Sequence, residues 1–123
     1  MANAFVHVEL NTTDVPKAKA FYQSLFDWQL EDVSMPGGMT YTMIRVGSGT
    51  GGGMMKHPMP DAPSMWLAYV QVEDVEAATK KAKSLGAKII KEVTPIPGEG
   101  SFSIFIDPTG APLALWQPKA AKV

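Results

Sequence analysis

The stretch FVHVELNTTDVPKAKAFYQSL (residues 5–25) changes its hydrophobic period halfway along, and its pattern returns sixty residues later as MWLAYVQVEDVEAATKKAKSL (residues 65–85). Both copies begin with the two-residue alternation of a half-buried strand. Both then pass through Asp-Val into the three- and four-residue apolar spacing of a helix. Asp14 and Asp74 stand where N-caps belong, and Pro16 falls in the first turn, where its missing N–H costs no helical bond. Ala18, Phe21, Tyr22 and Leu25 form the apolar stripe of the first helix. Val75, Ala78, Ala82 and Leu85 form that of the second, with Lys80, Lys81 and Lys83 largely off it and Gly86 in the place of a C-cap glycine.

The same shift continues without gaps. Val33 falls on Val93, Gly38 on Gly98, Ile44 on Ile104 and Pro58 on Pro118. Three strand-like runs follow each helix: WQLEDVS, TYTMIRV and GGMMK in the first half, AKIIKEV, FSIFI and PLALWQ in the second. The proline- and glycine-rich segments MPGGM and PIPGEG occupy matching turns, and HPMPDAP links the halves as a short stiff connector. Each half therefore reads βαβββ, an α+β arrangement. A module near sixty residues buries little surface alone, so one domain over 1–123 is expected, with modules at about 1–58 and 64–118.

Composition narrows the function. Eleven basic against twelve acidic residues give a net charge of −1 and no positive field to attract nucleic acid or an anionic membrane. The N-terminus MANAFVHVEL lacks the layout of a secretory signal, and no apolar run approaches a membrane span, so a cytoplasmic protein is the expectation. Without cysteine, disulfides, thiolate nucleophiles and Cys-based zinc sites are excluded.

With the repeat in place, the chain resembles the vicinal oxygen chelate superfamily of glyoxalase I, bleomycin-resistance proteins and extradiol dioxygenases. The resemblance covers nearly the whole length. It is carried by the paired βαβββ reading, by TTDVPKAKAFYQSLFDW at the first strand-helix unit and by FIDPTGAPLALWQ at the end. It implies a cup-shaped mixed sheet with the helices on its convex face, and a homodimer. In metal-dependent members, four cup-facing residues from the first and last strands of the modules hold a divalent ion. The resemblance puts His7 at the first position, the repeat then gives Leu67, the closing strand gives Ala114, and subtracting sixty gives Met54.

Of these four, His7 alone suits a hard or borderline ion, since zinc asks for three protein ligands and magnesium or manganese for oxygen donors. No metal cofactor is therefore expected. Strand parity fills out the implied cup. His7 brings Glu9 with it, while Val6, Val8 and Leu10 turn to the helices. Leu67 brings Tyr69, Ala114 brings Trp116 and Met54 brings Lys56. The expected pocket of His7, Glu9, Met54, Lys56, Leu67, Tyr69, Ala114 and Trp116 suits a small organic ligand better than an ion. The leading expectation is a glyoxalase-like small-molecule binder without the family metal. A superfamily lyase, isomerase or dioxygenase-related enzyme using His7 and Glu9 is the alternative, and a non-catalytic interaction module is a third.

Other signals have plain readings. GSGTGGG contains G-x-G-x-x-G, but MMKHPMP follows it instead of a helix, so it reads as a hairpin connection and not a nucleotide site. His57, beside Pro58, reads as a linker residue. Glu99, between two glycines of a turn, is a candidate acid or base whose simpler role is an exposed turn carboxylate.

Overall fold

Asp14 and Asp74 cap their helices as the repeat predicts: Asp14 Oδ1 accepts from the Lys17 amide and Asp74 Oδ1 from the Ala77 amide, each at 3.0 Å. Around these helices the computed structural model, which describes residues 3–35 and 37–119, arranges β1 (Phe5–Thr12), α1 (Val15–Leu25), β2 (Gln29–Ser34), β3 (Thr40–Arg45) and β4 (Gly52–Lys56). Then follow β5 (Met65–Gln71), α2 (Val75–Ser84), β6 (Lys88–Ile96), β7 (Gly100–Ile106) and β8 (Pro112–Pro118). The order is βαβββ twice, an α+β fold. Two compact units divide it, His7–Leu67 and, from the rest of the chain, residues 3–6 with 68–119.

In the first unit β2, β3 and β4 run antiparallel in sequence, and β4 returns parallel to β1. A parallel pair needs a crossover, and α1 supplies it. On the helix side, Leu10, Ile44 and Met54 form a buried cluster packed by Val15, Ala18 and Tyr22 of α1 and by Trp28, Leu30 and Val46. Trp66, at the start of β5, meets Tyr22 and Trp28 edge-on, with ring centroids 5.6 and 6.4 Å away. The outer stripe of α1 is left open: Phe21 and Leu25 are exposed, as is Phe26 just beyond it. Of the apolar stripe read from the sequence, Ala18 and Tyr22 pack on the cluster while Phe21 and Leu25 do not.

The second unit repeats the plan with β6, β7 and β8 antiparallel and β8 parallel to β5. Both units tie helix to sheet through a buried hydroxyl, but with different chemistry. Thr42 donates to Asp32 at 2.7 Å, and Lys19 of α1 reaches the same carboxylate at 3.0 Å. In the second unit Ser103 of β7 meets Thr79 of α2 at 2.8 Å.

The sixty-residue shift does not hold to the end of each module. Glu9 stands opposite Gly53, whereas Tyr69, sixty residues on, stands opposite Ala114. The counterpart of Ala114 is thus Gly53, sixty-one places back. The cause lies around β6, where Gln29 matches Lys88, fifty-nine places on. Two register shifts in the pairing of β6 with β7, where β2 and β3 pair without any, then bring Ser34 to match Pro95, sixty-one places on. Irregular pairing of this kind accommodates extra residues in one strand and displaces everything after it. Met54 consequently faces α1 opposite Leu10, and Lys56 follows it opposite Thr12, so neither shares the face of His7 and Glu9. Because alternation flips every side chain on a one-residue slip, this single displacement overturns both assignments.

Candidate functional site

On the face of the first unit's strands away from α1, β1 presents His7, Glu9 and Asn11 in alternation, and β3 presents Tyr41 and Met43 beside them. β4, lying between, contributes Gly53 and Met55. Glu9 and Asn11 are buried. The Tyr41 hydroxyl reaches across β4 to both β1 groups: it donates to Glu9 Oε2 at 2.9 Å and lies 2.7 Å from His7 Nε2.

A hydroxyl has one proton to give. With that proton on Glu9, the phenol oxygen can only accept from His7, so the geometry selects the imidazole tautomer that carries hydrogen on Nε2. Burial pushes the His7 pKa below its ordinary value, favouring the neutral ring this arrangement uses. The result is a directed row, imidazole to phenol to carboxylate, on a surface that also carries Asn11 and the Met43 and Met55 thioethers.

Gly53 makes the row possible. A Cβ there would collide with the hydroxyl and ring carbons of Tyr41, and one on Gly52 would collide with the Val8 carbonyl. Gly53 has no positive φ, so its role is to leave space and not to supply an unusual backbone. The end of GSGTGGG is therefore a strand shaved down for close packing. Gly47 and Gly49, with φ of 88° each, serve the preceding connection.

Among the residues expected at the pocket, His7 and Glu9 are brought together. Tyr69 and Ala114 are paired neighbours, and Trp116 shares their face of the second unit's strands, opposite the Ser103–Thr79 contact with α2. Leu67 alternates onto the face of Tyr69 along β5 and is buried. Met54 and Lys56 lie on the α1 side of β4, away from His7 and Glu9. His57 is a turn residue whose Nδ1 accepts from the Met59 amide at 3.0 Å. Glu99 is an exposed turn carboxylate.

Sequence reasoning missed Tyr41. Its clue was the pair of glycines inside a strand, which marks a close approach by a neighbour and fits a large residue on the adjoining strand.

The paired βαβββ units define the class. The model of the Glyoxalase/Bleomycin resistance protein/Dioxygenase superfamily matches residues 4–115, and the chain belongs to that superfamily. It is 33% identical over 110 residues to CFP32 of Mycobacterium tuberculosis, which carries a provisional glyoxylase name. It is 27% identical over 123 residues to the anthracycline biosynthesis protein DnrV of Streptomyces peucetius. Each alignment covers 89% of this chain but 42% of CFP32 and 45% of DnrV, so the chain spans less than half the length of these relatives. Among solved structures, methylmalonyl-CoA epimerase from Mycobacterium tuberculosis superposes with a TM-score of 0.71 at 16% identity, covering 94% of this chain and 88% of the other. That similarity shows the shared fold.

The metal that the family implies does not fit these residues. With the register corrected, the four positions are His7, Gly53, Leu67 and Ala114, a donor set of one imidazole. Among the described residues, no three of His, Cys, Asp and Glu gather closely enough to hold an ion.

Proposed function

We propose that this superfamily member binds a small organic molecule on the sheet face that carries His7, Tyr41 and Glu9, without the family's metal ion. The observation that carries this reading is the His7–Tyr41–Glu9 row. It combines fixed donors and acceptors with the adjacent Met43 and Met55 thioethers, and a few oriented polar groups on an adaptable apolar surface suit an organic ligand. The donor count at the family positions supports the same reading from the other side.

A thermal-shift screen of small organic molecules, run with and without added zinc, nickel or manganese, tests it. A binder raises the melting temperature by mass action, and the rise should be the same with and without metal and be reduced in Glu9→Gln. Stoichiometric metal held through His7 in the purified protein would overturn the reading.

A further inference from the structure

The register places Gly53 at the last-strand position of the first module, where metal-dependent relatives would carry a ligand side chain. A side chain there would start in the space now filled by the Tyr41 phenol. That phenol bonds the two metal-capable groups at hand, His7 at 2.7 Å and Glu9 at 2.9 Å. We propose that Tyr41, admitted by Gly53, takes the place of a metal ion between His7 and Glu9, and that these two paired residues are the device by which the chain excludes the ion. This rests on the metal-free reading above and gives it a cause.

Three features support the substitution. The phenol oxygen occupies the approach to His7 Nε2, so an ion using that nitrogen would have to displace the hydroxyl. The same displacement would take from Glu9 Oε2 its bond to Tyr41. Finally, Gly53 has no positive φ, and the three atoms nearest a Cβ there all belong to Tyr41, so the phenol is what a side chain would meet first. Tyr41 is thus a positioning residue: it sets the His7 tautomer and holds Glu9, and it need not touch the ligand.

Zinc titration of the wild-type chain, of Tyr41→Phe and of the double variant Tyr41→Ala with Gly53→Asp tests the proposal. Isothermal calorimetry follows binding, and thermal melts follow folding. The double variant removes the bridge and puts a short carboxylate where the phenol oxygen lay. It should bind zinc at least about tenfold more tightly than wild type, because His7, Glu9 and the new carboxylate would then offer the three protein ligands zinc asks for, and His7→Ala in that background should abolish the gain. A folded double variant with no gain overturns the proposal.

Should that variant fail to fold, Tyr41→Phe carries the test through nitrogen-15 spectra of His7. Removal of the acceptor should shift the ring away from its Nε2–H tautomer, and unchanged spectra overturn the proposal. The outcomes are separable from the ligand reading. A metal-independent ligand shift together with no zinc gain would leave that reading standing and remove this one. Stoichiometric zinc on the wild type would remove both.

Discussion

The two modules use one scaffold for opposite surfaces. Glu9, Tyr41, Gly53 and Met55 in the first correspond to Tyr69, Phe102, Ala114 and Trp116 in the second once the one-residue slip is included. Where the first joins a carboxylate to a phenol by a 2.9 Å hydrogen bond, the second sets the Tyr69 and Phe102 rings 6.3 Å apart in a tilted contact. His7 likewise has Leu67 as its counterpart. Since the second module forms the same strands and pairings with an apolar face, the fold itself does not require the polar row. Burying a carboxylate and an imidazole is costly unless both are hydrogen-bonded, and the Tyr41 hydroxyl meets that requirement for both.

Substitutions can break this contrast, and the largest effect should come from the helix side. Met54→Ala should cost about 2–5 kcal/mol in denaturant unfolding, the range for emptying a packed core position. Met55→Ala, on the partly buried opposite face, should cost clearly less. Equal costs would mean that the assignment of β4 faces is wrong.

Next comes Gly53→Ala, whose methyl meets the Tyr41 ring. Overpacking of this kind costs about 1–3 kcal/mol. Adding Tyr41→Ala should recover part of the loss, and a coupling energy near zero would show that the two residues do not share the space. Tyr41→Phe keeps the ring but leaves the buried Glu9 without that donor, at a cost of about 1–3 kcal/mol.

The smallest effect is a pH dependence. Burial holds the folded pKa of His7 below its ordinary 6.5, so the unfolded chain takes up a proton first as pH falls. The His7 contribution is therefore complete above about that ordinary value and is lost as pH drops from it toward the folded one. His7→Gln should flatten the melting temperature over that window. Asp32 and Asp107 behave separately. Both are held below the carboxylate range, Asp32 first by the Thr42 hydrogen bond and Asp107 first by that of Thr109, so their contributions fade only in stronger acid.

Much of the fold was legible because its signals are local. Period changes, Asp14 and Asp74 as caps and the proline-glycine turns mark elements without knowledge of what they touch. Faces of β1, β5 and β8 followed from alternation anchored at His7, Leu67 and Ala114. β4 was different: GGMMK has no alternation to anchor it, and the repeat carried Met54 onto the wrong face because irregular pairing in β6 had moved the later hairpin by one residue. Tyr41 was hidden for a related reason. Its partners lie more than thirty residues away on β1, and only the cross-strand register brings them within hydrogen-bonding distance.

The most direct test of the account is the nitrogen-15 spectrum of His7 in the wild-type chain near neutral pH, recorded before and after one equivalent of zinc. A hydrogen-bonded row requires a neutral ring protonated on Nε2, unchanged by the metal. A ring protonated on Nδ1, or a zinc-induced shift complete at one equivalent, would contradict it.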